Sequence, residues 1–342
     1  MYIWAMLRTN TSLKPYNTFN IEVFAEYYAQ FDSVASLTQL LKNRKDLPIF
    51  ILGGGSNILF TKNFKGLVLK NEILGLKTIE EHSNSVVIEA GAGMNWHSFV
   101  LRCIEMNYGG LENLSLIPGN VGASPMQNIG AYGVEIKDVF EYLDAVHIST
   151  GKLQRFYKAD CAFGYRESIF KRSLKDEYII CHVAFRLSKQ RHNLNTSYGA
   201  IEAELEKRQI TNPSIKDVSN AVIAIRQSKL PDPNEIGNAG SFFKNPVVPK
   251  NNFDKLLEKY PNIPNYPAPN NKVKLAAGWL IEKAGWKGRT IDGRYGVHAQ
   301  QALVLVNYKN TIGQEILDLS NEIIADVKFK FDVTLEREVN IL

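Results

Sequence analysis

The stretch Leu111–Gly133, LENLSLIPGNVGASPMQNIGAYG, constrains this chain more than any other. It holds Gly119, Gly122, Gly130 and Gly133, with Gly109 and Gly110 just ahead of it. Glycine tolerates positive φ and lets a backbone approach a flat or charged ligand closely. Pro118 before Gly119 marks a turn. The polar residues between the glycines (Asn120, Ser124, Gln127 and Asn128) are short and uncharged, able to hydrogen-bond a phosphate or a ring carbonyl. Turn chemistry accounts for part of this pattern. Its length, and its mix of small, amide and apolar residues, point to a cofactor cradle.

A chain of 342 residues holds roughly two or three domains. An apolar content of 45% is ordinary for a globular protein and argues against disorder. The net charge of +5 is mildly basic, with an isoelectric point near 8.8. No Lys/Arg run is long enough for a nucleic-acid surface, so the charge fits an anionic small molecule better. Cys103, Cys161 and Cys181 form no CxxC pattern and sit in apolar surroundings. Buried free thiols in a reducing, cytoplasmic compartment are expected. No apolar run reaches the length of a membrane span. The opening MYIWAMLRTN is too short for a signal-peptide core, and Met6 is an alternative start.

Val34, Leu37, Leu40 and Leu41 predict a helix over 33–46, followed by a buried strand at 48–52. That strand runs into Gly53-Gly54-Gly55-Ser56-Asn57, and a strand entering a glycine turn presents clustered backbone N–H groups to phosphate. Position 58 is isoleucine, so the G-x-G-x-x-G fingerprint is missing, and no P-loop motif occurs anywhere. Strands are predicted at 66–70, 85–90, 139–148, 153–157 and 178–187, and helices at 95–107 and around Val218–Ile225. Without regular βαβ alternation the class is α+β. Leu230-Pro231-Asp232-Pro233 is a rigid break and a domain boundary. Beyond it the pattern predicts a helix near 273–284 and a strand at 302–306. A closing helix follows, with a Thr311-x-x-Gln314 capping box, and then a final strand over 331–342.

Among candidate chemical groups, Arg166 follows Phe163-Gly164-Tyr165, and an arginine fork suits carboxylates and phosphates. Taken alone it reads as readily as a surface residue. Tyr198 before Gly199, and Arg226, Ser228 and Lys229 before the proline break, carry the same ambiguity. In GNAGSFFKNP, 237–246, Ser241 sits between small residues and two aromatics, as a positioned hydroxyl donor or as an ordinary turn serine. No G-x-S-x-G elbow is present, and the six histidines form no metal-ligand cluster, so no metal is expected. Glu336 and Glu338 alternate along the last strand and share a face.

Taken together and in order, Asn17-Thr18-Phe19, LGGGSN, IPGNVGASPMQNIGAYG, FGYR, KLPDP, GNAGSFFKNP and LEREV resemble the UDP-N-acetylenolpyruvoylglucosamine reductase family of bacterial peptidoglycan synthesis. The motifs run from residue 17 to 339. Tyr198-Gly199 followed by a helix matches the form with an extra tyrosine segment. The resemblance implies an α+β, vanillyl-alcohol-oxidase-like (PCMH-type) FAD-binding fold in two subdomains, plus a C-terminal α+β substrate-binding domain. The implied ranges are 1–75 and 76–228 for the subdomains, the second joined by strand 331–342, and 229–330 for the substrate domain. It implies non-covalent FAD, NADPH as co-substrate and a UDP-sugar substrate. It also implies a cytoplasmic monomer without nucleic-acid or membrane partners.

Carried over residue by residue, Ser241 matches the proton donor, and Arg166 and Glu338 the pair that stabilises an enolate-like intermediate. Tyr165, Tyr198, Lys229, Asn245, Tyr266, Lys287 and Gln301 match substrate-contacting positions. Gly53, Gly54, Gly55, Ser56, Asn57, Pro118, Gly119, Gly122, Ser124, Gln127, Asn128, Gly130 and Ala131 match the FAD cradle. The chain departs from the family pattern in having Arg337 between the two glutamates, Asn340 in place of a base, and Asn20 in place of glycine. At 340 a neutral amide thus stands where the resemblance implies a basic flavin-side contact. The competing readings are an FAD-dependent oxidase of the same fold acting on a small alcohol, and a non-catalytic flavin or nucleotide-sugar binder.

Overall fold

The computed structural model describes residues 7–43 and 46–342. Met6, as an alternative start, and positions 44–45 of the first predicted helix lie outside the described residues. The chain divides into two compact units. One takes the chain up to Thr11, then Ala25–Gly54 and Lys65–Ser228; the other takes Ser12–Phe24, Gly55–Phe64 and Lys229–Leu342.

In the first unit a four-stranded sheet has the order Arg8–Ser12, Phe24–Phe31, Phe64–Asn71, Ile49–Leu52. Ile49–Leu52 pairs parallel to its neighbour, Ile49 opposite Leu67. Helix α1, Val34–Lys42, starts at a capping box in which the Ser33 and Ser36 side chains answer each other's backbone N–H groups. It buries Leu37, Leu40 and Leu41 against Phe31, Leu67 and Leu69. The second sheet is antiparallel throughout, in the order Leu153–Tyr157, Phe140–His147, Tyr178–Ser188, Ser85–Gly91, Leu76–Glu81. The long central strand is apolar because both its faces are covered: Val183, Phe185 and Leu187 join one core, Ile179 and Cys181 the other.

Helix α2, Trp96–Glu105, is capped by Asn95, whose side chain accepts from the Ser98 N–H at 2.9 Å. Trp96 and Phe99 pack on Phe185 with ring centroids 5.8 and 5.1 Å away. Burial pushes the Cys161 and Cys181 thiols up to about 12, so they are packing residues and not nucleophiles. Helices α3, Gly199–Lys207, and α4, Ile215–Lys229, form a satellite core of Ile201, Leu205, Val218, Ala221, Val222 and Ile225.

In the second unit an antiparallel sheet has the order Gly237–Ser241, Val304–Asn307, Tyr295–Val297, Thr290–Ile291. A smaller sheet orders Val247–Pro249, Lys272–Leu275 and Asn265–Ala268. Three helices accompany them: α5, Lys250–Lys259; α6, Ala277–Lys283; and α7, Gly313–Phe331. The Asn17-Thr18-Phe19 motif belongs here. The Asn17 amide donates to Leu13 and Ile21 carbonyls at 2.8 and 2.9 Å and accepts from the Ile21 N–H at 3.0 Å, closing a tight loop. The Phe19 carbonyl accepts from the Asn307 amide at 2.7 Å. Asn20 follows at φ 57°, the left-handed position for which asparagine is the usual substitute for glycine.

Three expectations are corrected. Residues 272–275 are a strand and not the start of a helix; Val273 and Leu275 are buried and the segment pairs on both edges, so the helix is only Ala277–Lys283. The closing helix is capped one residue later than Thr311-x-x-Gln314: the Ile312 N–H donates to Glu315 Oε2 at 3.0 Å, while Gln314 bonds Asp318. The final strand over 331–342 is mostly not a ladder. Helix α7 runs to Phe331 and stops at Asp332, φ 55°; beyond it Arg337 makes an isolated antiparallel bridge to Phe243, and Asn340–Ile341 pairs parallel to Ile58–Leu59. That tail lies in the unit with residues 229–330. Among the described residues no helix is long and apolar enough to cross a membrane.

Candidate active site

In the first unit the strand Ile49–Leu52 delivers Gly53 and Gly54 to the central glycine loop. A Cβ on Gly54 would lie 2.9 Å from both Asn120 Oδ1 and Gly119 Cα. One on Gly122 would lie 2.6 Å from the Ala92 Cβ, because the Gly122 N–H bonds the Ala92 carbonyl at 2.9 Å. These glycines are therefore demanded by backbone packing against backbone, before any ligand is considered. Ser124 is different: its hydroxyl is buried and meets no hydrogen-bond partner among the described residues. A buried hydroxyl without a partner costs ~1–3 kcal/mol, so this one points to a ligand group.

Asn128, placed in the cradle from the sequence, is fully buried, and its carboxamide is committed within the protein. It donates to Glu135 Oε2 and to the Gly164 carbonyl, both at 3.0 Å, and accepts from the Lys137 N–H at 3.1 Å. Its side chain staples the loop to the segment that carries Tyr165 and Arg166. Arg166 itself has φ 54°, and its Nη2 donates to the Gly130 carbonyl at 2.7 Å.

A further cluster lies along the same loop. Leu116 holds φ 57°, a strained value for a branched side chain. Its N–H donates to His97 Nδ1 at 2.9 Å and its carbonyl accepts from Arg226 Nε at 3.1 Å. Burial holds the Arg226 guanidinium below its ordinary pKa; the Tyr132 phenol opposes that shift and the Arg166 charge adds to it. No ion pair is made to Arg226 among the described residues. Tyr132 stands edge-on to Tyr198, with ring centroids 5.3 Å apart. Burial lowers the His97 pKa, and Arg226 lowers it further, so this imidazole is kept neutral as an acceptor. The sequence gives no signal for Tyr132, marks His97 only as a histidine close behind Gly91-Ala92-Gly93, and marks Arg226 only as preceding the proline break. The available clue was an arginine four residues after Val222, on the buried stripe of α4.

In the second unit Ser241 ends a strand whose register slips between Asn238 and Ser241, a bulge that re-aims the serine. Asn238 Oδ1 accepts from the Gly240 N–H at 2.9 Å, and its amide bonds the Pro231 and Ile236 carbonyls. Phe242 and Phe243 are buried and fix the strand after it. The Phe242 N–H bonds the Leu303 carbonyl at 2.7 Å, and its carbonyl accepts from the Glu338 N–H at 2.8 Å. Ser241 and Glu338 thus come from adjoining segments. Glu336 pairs with Lys244 at 3.1 Å and stays at the surface.

Asn245 Oδ1 accepts from Ala277 N–H at 3.0 Å at the start of α6, and Gln301 Oε1 lies 3.4 Å from the Cβ position of Gly278. Tyr266 is exposed, with the Lys274 ammonium 5.7 Å from its ring centre. Lys287 is ion-paired with Glu282 at 3.0 Å, and Lys229 ends α4 on the surface. The structure groups Gly55, Ser56 and Asn57 with Ser241, Asn245, Gln301 and Glu338, and it groups Gly53, Gly54 and residues 118–131 with Arg166 and Tyr198.

Comparison with known proteins agrees with this geometry. Residues 25–157 match the family model of an FAD binding domain, and residues 232–342 match that of the UDP-N-acetylenolpyruvoylglucosamine reductase C-terminal domain. The unpartnered Ser124 hydroxyl and the uncharged residues 116–131 fit such a cofactor. Fold and site define an FAD-binding flavoenzyme of the α+β class. Curated UDP-N-acetylenolpyruvoylglucosamine reductases from Flavobacterium johnsoniae and Amoebophilus asiaticus are 52% and 51% identical, each match covering 98% of this chain and 99% of the relative. That of Pseudomonas aeruginosa is 46% identical, over 98% of both chains. A solved reductase structure from Thermus caldophilus aligns over 98% of this chain and 99% of its own, with TM-score 0.68 at 20% identity, and shares the fold. The chain belongs to the UDP-N-acetylenolpyruvoylglucosamine reductase family.

Proposed function

We propose that the chain reduces the enolpyruvyl ether of UDP-N-acetylglucosamine enolpyruvate to UDP-N-acetylmuramate, with NADPH as electron source, in bacterial peptidoglycan synthesis. The observation that carries this reading is the Glu338 N–H bonded to the Phe242 carbonyl at 2.8 Å, which holds an acid beside the bulged serine strand. Bound FAD would supply the hydride chemistry between NADPH and the outer carbon of the enol ether. Gly53–Asn57, Pro118, Gly119, Gly122, Ser124, Gln127, Gly130 and Ala131 hold that cofactor. Asn128 supports them as the loop's staple.

Ser241 gives the proton to the inner carbon. Charge builds beside the substrate carboxylate before that proton arrives, and Arg166 stabilises it as a fixed cation. Glu338 assists as a hydrogen-bond donor; a carboxyl can do this only in its protonated form. Tyr198, Lys229 and Lys287 serve the diphosphate. Tyr165, Asn245, Tyr266 and Gln301 complete the recognition of the sugar nucleotide. The enzyme works as a cytoplasmic monomer and needs neither nucleic acid nor membrane.

The test begins with the visible spectrum of the purified protein. A flavin spectrum is expected, and acid precipitation should free the colour into the supernatant, since the three cysteines are buried and His97 Nδ1 is engaged with Leu116. NADPH should bleach the flavin, and the enolpyruvyl sugar nucleotide should restore its colour faster than O₂ does. Faster recovery with O₂ would favour an oxidase, and colourless protein without turnover would overturn the reading.

A further inference from the structure

The backbone of Glu338 is held at both ends. Its N–H donates to the Phe242 carbonyl at 2.8 Å, and its carbonyl accepts from Asn57 Nδ2 at 3.2 Å. Asn57 is held in turn by the residue two positions beyond the glutamate. The Asn340 N–H and its carboxamide Nδ2 both donate to the Asn57 carbonyl, at 3.1 and 3.0 Å. Asn57 and the segment Glu338–Asn340 therefore form a closed loop of hydrogen bonds, Asn57 to Glu338 in one direction and Asn340 to Asn57 in the other. A second anchor acts upstream, where Arg337 Nε donates to Ser320 Oγ of α7 at 2.8 Å. Arg337 and Asn340 are two of the three positions at which this sequence departs from the motif pattern, and both act on the placement of Glu338.

We propose that Asn340 is a positioning residue for Glu338. Its carboxamide fixes the Asn57 carbonyl, and the Asn57 carboxamide then fixes the peptide that carries the glutamate. A backbone N–H alone makes one hydrogen bond to Asn57 and leaves the Asn57 peptide free to tilt about it. The second donor from the same residue removes that freedom. Displacing a reacting group by about 1 Å costs on the order of 10²-fold in rate, so losing one of the two donors should cost ~10-fold or more in the step that uses Glu338. Asn340 is exposed, so its replacement does not open a core.

The inference rests on the role given to Glu338 above, and the experiment separates the two. Wild-type, Asn340→Gln, Asn340→Leu and Asn340→Asp holoenzymes are compared by stopped-flow flavin absorbance, in reduction by NADPH and in reoxidation by the enolpyruvyl sugar nucleotide. Hydrogen exchange of the 336–342 peptide is followed in parallel. Reduction should fall less than reoxidation in every variant, because it does not use the glutamate. Reoxidation should fall ~10-fold in Asn340→Leu and further in Asn340→Asp, whose carboxylate faces a carbonyl, while Asn340→Gln recovers part of the rate. Exchange at 336–342 should rise in the same order. Wild-type reoxidation rates in the Leu and Asp variants would overturn the positioning role, and so would equal loss in both half-reactions. Wild-type enzyme that is not reoxidised by this substrate would instead sink the reaction assigned above.

Discussion

Arg226 and Leu116 are locked together: the arginine Nε donates at 3.1 Å to the carbonyl of a leucine held at φ 57°. A desolvated guanidinium and a strained backbone each cost free energy, and here each holds the other in place. Removing the guanidinium should let the loop at 111–133 relax. Hydrogen bonds to charged groups contribute ~1.5–3 kcal/mol, so Arg226→Met should weaken FAD binding roughly 10- to 100-fold. Arg226→Lys should recover only part of this, since an ammonium lacks the planar fork. Fluorescence titration of the apoprotein with FAD measures it; an unchanged dissociation constant for the Met variant would remove Arg226 from the site.

Ser241→Ala tests the proton donor. A positioned donor contributes ~10²–10⁴-fold, so reoxidation by substrate should slow by that factor while reduction by NADPH is nearly normal. Ser241→Cys should restore some turnover because a thiol can also give a proton. Glu338→Gln should be slow in the second half-reaction only. Equal slowing of both halves in Ser241→Ala would make the serine a packing or binding residue.

Lys287→Ala tests the diphosphate end. The Lys287–Glu282 pair at 3.0 Å is at the surface, and exposed pairs contribute little to stability. The variant should therefore melt like wild type, yet show a KM for the sugar nucleotide raised more than kcat is lowered. A KM equal to that of wild type removes this lysine from substrate binding.

Glu315 provides a pH-dependent test of the second unit. Hydrogen bonds from Arg294, Nη2 to Oε1 at 2.5 Å and Nη1 to Oε2 at 3.1 Å, hold its carboxyl below the usual carboxylate range. Burial works against the shift, and the Ile312 N–H adds to it. A depressed folded-state pKa gives stability that is present above the unfolded-state value and lost as pH falls through the folded-state value. Glu315→Gln should lower the melting midpoint by ~1–3 °C at neutral pH, and the two proteins should converge in acid. A gap that widens on acidification would contradict the assignment.

Local pattern made much of this protein legible. The apolar run Tyr178–Leu187, the strand entering the glycines at 53–55, and the apolar stripe of α7 all follow from periodicity, because burial of one face or both dictates it. The loop at 111–133 announced itself by composition, and Ser241 by its small neighbours and two aromatics. What stayed hidden depends on partners distant in sequence. Lys272–Leu275 is a strand because two other segments flank it. Asn128 reads as a ligand contact until Glu135 and Gly164 are seen to occupy its amide. Arg226 reads as a helix-surface charge until Leu116 and Tyr132 surround it.

The second unit is assembled from Ser12–Phe24, Gly55–Phe64 and Lys229–Leu342. On the ribosome its first two pieces emerge long before the third. At ~5–20 residues per second, the segment that ends at Phe64 waits on the order of ten seconds for its partners to be synthesised. Phe19 and Phe60, buried in the finished molecule, lack for that interval their neighbours Phe242 and Gly313 from the third piece. The second unit can therefore complete only after translation has passed through the whole of the first. Its vulnerability to aggregation is set by elongation rate as well as by its stability once folded.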